Sequence, residues 1–139
     1  MTSDAAAAAA LNLGAVVRDE RSAPFFDATA EGQLLIHRCP ACDHRFGPEL
    51  ATCTACGAPD PEWEPATGTA SVVSWVVVHR KDAHGSPATT TVVTAELPEG
   101  PWLTLPLHAP DDSGLSAGTT LHVSFVRPDL SEAIPVWQR

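Results

Sequence analysis

The segment HRCPACDHRFGPELATCTACGAP, residues 37–59, contains all the cysteines of this 139-residue chain. They form two CxxC pairs separated by ten residues: Cys39, Cys42, Cys53 and Cys56. A CxxC turn brings two thiolates to one ion while backbone N–H groups bond to the sulfurs, and two facing turns complete a tetrahedron. Pro40 stiffens the first turn, and Gly57 permits a positive φ after the second. The spacing predicts a metal-binding ribbon.

Four thiolates suit either zinc or iron. Rubredoxins, the iron case, separate their CxxC pairs by a much longer stretch, so the ten-residue spacing favours a compact ribbon with structural Zn²⁺. A rubredoxin-like redox carrier and a pair of disulfides are the alternatives. Four protein ligands leave no position for water, which excludes hydrolytic catalysis at the metal. We interpret His37 and His44 as solvent-exposed or hydrogen-bonded loop residues, not ligands.

Composition and charge narrow the functional classes. The chain has 17 acidic and 8 basic side chains and a formal charge of −9. Up to residue 66 there are ten acidic and four basic residues, and after it seven and four. Neither half offers the basic face that a phosphate backbone requires. A nucleic-acid-binding module with Trp75 and Trp102 as stacking platforms is therefore a disfavoured alternative.

The first 21 residues, MTSDAAAAAALNLGAVVRDER, are predicted to be an alanine-rich helix or tail. The segment lacks a basic residue before its apolar run and carries Asp4, which argues against a signal peptide. No stretch approaches the roughly 20 apolar residues that span a bilayer. We therefore expect a cytoplasmic protein with reduced thiols and no membrane partner, where CxxC pairs typically bind metal.

Residues 22–36 are predicted to form a short helix and a strand that leads into the cysteines. Ser22 is the expected N-cap, Pro24 suits the first turn, and Gly32 is a plausible stop. Two adjacent aromatic residues, Phe25 and Phe26, cannot both face one core from a helix. Either both pack within this protein or one contacts a partner.

The rest of the chain reads as β-structure. After a ribbon over residues 37–66, β-branched runs broken by turn residues predict five strands: 68–80, 88–97, 101–107, 119–126 and 134–138. A sheet that small buries its apolar side best by closing into a barrel, here over residues 67–139. The fold class is therefore mainly β, with short N-terminal helices, a four-cysteine zinc ribbon and a five-stranded OB-fold barrel.

No catalytic motif stands out. GxSxG, HExxH, P-loop and GxGxxG patterns are absent, and every cysteine is assigned to metal. His79 and His84 lie near Lys81 and Asp82, but at a strand end where solvated polar residues are expected. Asp111 and Asp112 fit turn positions better than a catalytic pair. We assign no catalytic residue to this chain.

These features resemble a family of bacterial and archaeal proteins that pair a rubredoxin-like zinc ribbon with an OB-fold domain. The resemblance runs from about residue 22 onward. It is carried by the segments FF (25–26), EGQLLIHRCPAC (31–42), CTACG (53–57), EWEPATGTASVVSWVVVHR (62–80), VTAELPEGPWL (93–103), SAGTTLHVSF (116–125) and IPVW (134–137). Two features depart from the family: Asp43 replaces a knuckle glycine, and the loop at 81–91 differs from the commoner proline-rich, aromatic loop.

The resemblance implies an accessory subunit of an acyl-CoA-processing complex whose thiolase-like partner, of the sterol-carrier-protein thiolase type, carries the catalytic residues. The leading expectation is a steroid or lipid side-chain aldolase that cleaves a CoA thioester by a retro-aldol reaction. An acyltransferase or ketothiolase-type complex is the alternative. Candidate partner contacts are Phe25, Phe26, Trp75 and Trp102, and candidate CoA-phosphate contacts are Arg80 and Lys81.

Overall fold

A computed structural model describes residues 13–139. Most of the predicted alanine-rich helix or tail, residues 1–12, lies outside the described residues, and residues 13–22 contain no helix. One helix is present in the described part, α1 (Ala23–Ala30), with Pro24 in its first turn. Ser22 is the N-cap residue, as predicted, but its hydroxyl makes no capping hydrogen bond and instead donates to Asp19 Oδ1 at 2.8 Å. Gly32, at φ 78°, follows its end.

The segment before α1 is fixed to a loop near the other end of the chain. The N–H of Val16 donates to Ser131 Oγ at 2.8 Å, and the N–H of Glu132 donates to the Val16 carbonyl at 2.8 Å. The Arg18 guanidinium bonds both carboxylate oxygens of Glu132, at 2.8 and 3.0 Å, and also Asp27 of α1. This network joins α1 to the loop at residues 131–132.

A small antiparallel sheet carries the cysteine turns. Its strands are β1 (Leu35–Arg38), β2 (Arg45–Phe46) and β3 (Glu62–Pro65), in the order β2-β1-β3. The cysteine turns lie in the connections between these strands, so the ribbon consists of short strands with long polar links. Strands of two to four residues bury little apolar surface, and such a unit needs another source of stability.

Five longer strands form the barrel, at nearly the predicted positions. They are β4 (Thr69–Lys81), β5 (Pro87–Glu96), β6 (Trp102–Pro106), β7 (Thr120–Val126) and β8 (Ile134–Gln138). The sheet order is β6-β5-β4-β7-β8, with every neighbouring pair antiparallel. A parallel bridge between Leu107 and Trp137, with the N–H of His108 donating to the Trp137 carbonyl at 2.8 Å, brings the two edges together. The predicted five-stranded OB-fold is confirmed.

The barrel core extends into the ribbon. Trp137 is fully buried, and its indole N–H donates to the Val93 carbonyl at 3.1 Å, which satisfies the polar atom of the largest core side chain. Leu34 lies just before β1 and Ile36 lies within it, and both belong to the same apolar cluster. The N–H of Ala66, in the β3–β4 connection, donates to the Leu34 carbonyl at 2.9 Å. The first strand of the ribbon is therefore part of the wall of the barrel core.

Candidate metal centre and accessory surfaces

The four cysteine sulfurs converge. All four Sγ atoms lie within 4.8 Å of one another, and the Cys39–Cys56 and Cys42–Cys53 pairs are each 3.6 Å apart. Cys39 and Cys53, the first cysteine of each pair, are buried, while Cys42 and Cys56 are exposed. The site therefore forms at the surface, with one sulfur from each turn facing the small apolar cluster of the ribbon.

The two turns have matching backbone geometry. The N–H of the residue four positions after the first cysteine donates to that cysteine's carbonyl, at 2.8 Å for Asp43 and 2.9 Å for Gly57. Both residues are left-handed, with φ of 66° and 76°. Aspartate tolerates this region better than most residues, because its short carboxylate can bond locally. The departure from the family pattern at residue 43 therefore leaves the turn intact.

The ionisation of the thiols fits a cation between them. Burial disfavours the Cys53 thiolate, but the N–H groups of Cys56 and Ala55 and the neighbouring thiols lower its pKa to about 6. The N–H of His44 favours the Cys42 thiolate, but burial and the other sulfurs raise the pKa of Cys42 to about 12. Unlike protons, one divalent ion can neutralise several thiolates together. The chain thus has a four-cysteine metal site in a zinc ribbon, and Zn²⁺ would fill it with protein ligands alone.

The two histidines that flank the first turn have different environments. His44 is exposed, and its Nε2 lies 3.0 Å from Thr54 Oγ1, as expected of a hydrogen-bonded loop residue. The loop assignment was wrong for His37, which lies in β1 and is 5% exposed. Its cross-strand neighbours are Phe46 and Trp63, with ring centroids 5.4 and 3.9 Å away. Burial lowers the pKa of His37, which makes it a packing residue of the ribbon.

The arginines around the metal site are paired with acids. Arg45 donates to both carboxylate oxygens of Glu64, at 2.7 and 3.1 Å. Arg38 bonds Asp43 and, at 3.2 Å, Glu62. The Arg38 guanidinium holds the pKa of the Asp43 carboxyl below its usual value. These pairs fix β1, β2 and β3 at their polar side and leave the cations engaged within the chain.

Three of the predicted partner-contact residues lie on one side of the molecule. Phe25 packs against the barrel core. The ring of Phe26 meets the ring of Phe25 edge-on, with the two centroids 5.2 Å apart. Phe25 also lines a hollow of about 440 Å³ together with Trp102, Leu105 and Pro135. Trp102 is 58% exposed and donates its indole N–H to Glu96 at 3.2 Å. We call this hollow and its exposed indole the Trp102 surface.

Trp75 and the two predicted phosphate contacts lie elsewhere. The Trp75 indole N–H donates to Asp112 Oδ2 at 3.0 Å, a contact that the sequence did not indicate. Arg80 and Lys81 lie at the far end of β4, and Arg80 Nε donates to Thr90 Oγ1 at 2.9 Å. Trp102 on β6 pairs with Glu96 on β5, and Glu96 pairs with Ser71 on β4. Lys81 is ten residues further along β4, roughly 30 Å away.

The polar loops match their interpretation as turns. The Asp82 carboxylate accepts the N–H groups of His84 and Ser86, both at 2.9 Å. The Asp111 carboxylate accepts the N–H of Ser113 at 2.9 Å. These are local side-chain-to-backbone bonds that stabilise turns.

Fold and site together define a two-domain class: a zinc ribbon followed by an OB-fold. A profile described as "ChsH2, rubredoxin-like zinc ribbon domain" matches residues 26–62, and one described as "ChsH2, C-terminal OB-fold domain" matches residues 63–126. The chain belongs to this ChsH2-type family, also known as DUF35, which confirms the resemblance inferred from the sequence.

The fold is shared with solved structures, among them the following two. The chain described as "Ltp2-ChsH2(DUF35) aldolase" aligns with a TM-score of 0.72 and 26% identity, over 88% of this chain and 96% of that one. A protein of unknown function from the DUF35 family of Sulfolobus solfataricus aligns with a TM-score of 0.59 and 14% identity, over 86% and 84% of the two chains. At that identity the second likeness shows the fold alone.

One curated relative matches in sequence. A Thermomonospora curvata protein named "Probable enoyl-CoA hydratase alpha subunit" is 28% identical over 124 residues, which are 89% of this chain and 38% of that protein. The chain therefore spans well under half of that relative's length. Among residues 13–139, no helix is long and apolar enough to cross a membrane.

Proposed function

We propose that this chain is the accessory subunit of a heteromeric acyl-CoA-processing enzyme with a thiolase-fold partner. The proposed reaction is the retro-aldol cleavage of a steroid or lipid side-chain CoA thioester. The observation that carries this proposal is the alignment with the Ltp2-ChsH2 aldolase chain over 96% of that chain's length. The name of the curated relative, a hydratase subunit acting on a CoA thioester, supports the acyl-CoA class and a heteromeric assembly.

The chemistry of the described residues supports placing the catalytic groups on the partner. Retro-aldol cleavage requires a base that takes the proton of the substrate hydroxyl and a group that stabilises the enolate. The four thiols lie in the metal cluster, and the carboxylates of Asp82 and Asp111 hold turns. A zinc ion with four cysteine ligands has no position for a substrate oxygen. The chain's role would be to stabilise and shape the partner.

The Trp102 surface is our candidate for the partner interface. A half-exposed tryptophan beside an apolar hollow is typical of an interface anchor. Acidic side chains surround it: Glu96 accepts the indole N–H, and Glu49 and Glu99 line the adjoining hollows. In a chain of charge −9, this arrangement suits a partner face with an apolar side chain for the hollow and lysine or arginine at its rim.

The phosphates of CoA are then best assigned to the partner. Arg80 and Lys81 are roughly 30 Å from Trp102 along β4, so a CoA bound at an interface centred on Trp102 would not lie beside them. Clusters of acidic side chains near Trp102 would repel the phosphates. Arg80 and Lys81, the predicted contacts for the CoA phosphates, thus have no role in this arrangement.

Co-expression with a thiolase-like protein encoded nearby tests the proposal. We expect the two proteins to co-elute and the complex, not either subunit alone, to cleave a β-hydroxyacyl-CoA side chain into an aldehyde or ketone and a shorter acyl-CoA. Acyl transfer without cleavage would favour the acyltransferase alternative. Turnover by this chain alone, or failure of any thiolase-fold protein to co-elute, would contradict the proposal.

Variants locate the interface. Trp102→Ala should weaken partner binding at least about tenfold, because a large anchor is lost. Leu130→Ala is the control, since Leu130 is 96% exposed and does not line the hollow beside Trp102. If both variants bind the partner equally well, Trp102 is not part of the interface. The proposed accessory role would still be tested by co-elution.

A further inference from the structure

The two edges of the barrel meet at the ends of β6 and β8. Leu107 forms a parallel bridge with Trp137, and the N–H of His108 donates to the Trp137 carbonyl at 2.8 Å. Continuing this parallel pairing toward the start of β6 would require backbone N–H donors at residues 106 and 135. Both residues are proline, which has no backbone N–H. The pairing therefore stops at Leu107, and the earlier part of β6 has an outer edge that β8 does not pair with.

Backbone groups at this outer edge point away from β5. The N–H of Leu107 donates to the Thr91 carbonyl at 2.8 Å, and the β5–β6 register is continuous from there to Trp102. Since hydrogen-bonded residues alternate along an antiparallel strand, the odd-numbered residues of β6 bond to β5. The N–H and C=O groups of Trp102 and Thr104 therefore face outward. Within residues 13–139, these four groups have no hydrogen-bond partner.

The outer edge of β6 borders the hollow of the Trp102 surface. Trp102 and Thr104 both line this hollow of about 440 Å³, and its apolar lining includes Phe25, Leu103 and Leu105. Leu103 and Leu105 pack with the barrel core, while Trp102 and Thr104 are exposed on the opposite face of the strand. A strand laid along β6 would thus have alternate side chains against the apolar lining and the others beside Trp102 and Thr104.

The unpaired charges at this edge are acidic. Glu49 lines the hollow, none of whose described lining residues is basic, and Glu96 accepts the indole N–H of Trp102. Glu99 lines the adjoining hollow, and its Oε1 has no hydrogen-bond partner in the described part of the chain. Arg45 also lines that second hollow, but it is bonded to another carboxylate. Two copies joined at this edge would bring like charges together, so the charges favour a basic segment of a different protein.

We propose that an extended segment of the thiolase-fold partner adds to the outer edge of β6 as a further strand. Its backbone pairs with the outward N–H and C=O groups of Trp102 and Thr104. Apolar side chains of the segment fill the hollow, and lysine or arginine at the alternate positions lies beside Trp102 and Glu96. This inference rests on the proposed function and adds to it the mode of partner binding.

Two substitutions at Thr104 separate the backbone contact from the side-chain contact. Thr104→Pro removes one outward N–H and no bond to β5, and Leu103 before it is already extended, as a following proline requires. We expect the Kd for the purified thiolase-like protein to rise at least about tenfold. Thr104→Val keeps the N–H and a β-branched side chain, so it should bind within about twofold of the wild type. Circular dichroism verifies that both variants are folded.

Residue-resolved amide hydrogen exchange of the wild type tests the same contact without a substitution. In the free chain, the amides of Trp102 and Thr104 should exchange faster than those of Leu103 and Leu105, which bond to β5. In the complex, exchange at Trp102 and Thr104 should slow at least about tenfold. Protection of Thr104 in the free chain would mean that another part of this chain, or a second copy at high concentration, occupies the edge. That result overturns the proposal.

A charge substitution tests the chemistry of the segment. Glu96→Gln keeps an oxygen for the Trp102 indole and should raise the Kd several-fold, whereas Glu20→Gln, at an exposed acid that does not line the hollow, should not. A folded Thr104→Pro that binds like Thr104→Val overturns strand addition, while the complex still forms and the accessory role stands. If no thiolase-fold protein binds the wild type, the proposed function is overturned and this inference with it.

Discussion

The ribbon and the barrel are neighbouring parts of one chain, but different interactions stabilise them. The ribbon has strands of two to four residues and a small cluster built around Cys39, Phe46 and Cys53. The barrel has a continuous core in which Trp137 and Leu121 are fully buried. Loss of the metal and loss of core volume should therefore affect the two regions differently. Ile36 lies in a strand of the ribbon and also in the core of the barrel, so a substitution at Ile36 tests whether the two regions are coupled.

Removing one metal ligand should have the largest effect. Cys39→Ser takes away one of four thiolates, and structural zinc sites contribute on the order of 10 kcal/mol to the folding of their own segment. We expect loss of bound zinc and of hydrogen-exchange protection in residues 35–65, with the five barrel strands still protected. Metal analysis and hydrogen exchange measure these outcomes. His44→Gln is the control, and it should retain zinc. An iron-type visible absorption band in the wild type would contradict the assignment of zinc.

A large core deletion in the barrel should come next. Trp137→Ala removes a fully buried indole and leaves the Val93 carbonyl without its donor, which should cost about 3–5 kcal/mol of unfolding free energy. Denaturant unfolding measures the loss. Trp102→Phe, at an exposed position of the same barrel, should change stability little. If Trp137→Ala unfolds with wild-type stability, the barrel core is not the source of stability described above.

A change at the shared strand tests whether the two regions are coupled. Ile36→Ala should cost about 2–5 kcal/mol, and Ile36→Val only about 0.5–1.5 kcal/mol. Because Ile36 is in β1 beside the metal turns, the alanine variant should also release zinc to a chelator faster than the wild type. A colorimetric chelator assay follows that rate. Unchanged zinc release alongside the expected loss of stability would show that ribbon and barrel are independent.

The smallest expected effect is a pH-dependent one in the N-terminal segment. Hydrogen bonds from the Arg18 side chain lower the pKa of Glu132 below its ordinary value of 4.5. A carboxylate with a lowered native pKa stabilises the fold above that ordinary value and loses the contribution as pH falls through its native pKa. Glu132→Gln should therefore melt below the wild type at pH 7, and the difference should shrink below about pH 4.5.

Thermal melts from pH 3 to pH 7 measure this difference. The effect is small because the ion pair is partly exposed to water. Glu31→Gln, a change of an exposed acid at the end of α1, is the control and should show no such trend. A gap between wild type and Glu132→Gln that stays constant down to pH 3 would contradict the proposed ion-pair contribution.

Local patterns in the sequence were enough to predict the metal site and the barrel strands. The CxxC spacing places four sulfurs together through the turns themselves, and turn residues mark the ends of the β-branched runs. The burial of His37 was not predictable in this way. It depends on Phe46 and Trp63, which become its neighbours only when three separate strands pair.

Long-range contacts account for the other differences. Arg18 and Glu132 are 114 residues apart in sequence, and either would read as an ordinary surface charge by itself. The valines at 76–78 have the same β-branched pattern as a buried strand. Their exposure follows only from how far β7 and β6 extend along β4 and β5. The sequence therefore predicts which strands form but not how much of each strand its neighbours cover.

The bridge between Leu107 and Trp137 has a consequence for the order of folding. β4, β5 and β6 are joined by short connections and can pair as soon as each is made. The indole of Trp137 reaches Val93 across 44 residues, and β8 is the last strand in the barrel to be synthesised. Until β8 has left the ribosome, the nascent barrel would be an open sheet with its apolar side uncovered. Interactions with chaperones are most to be expected in that interval.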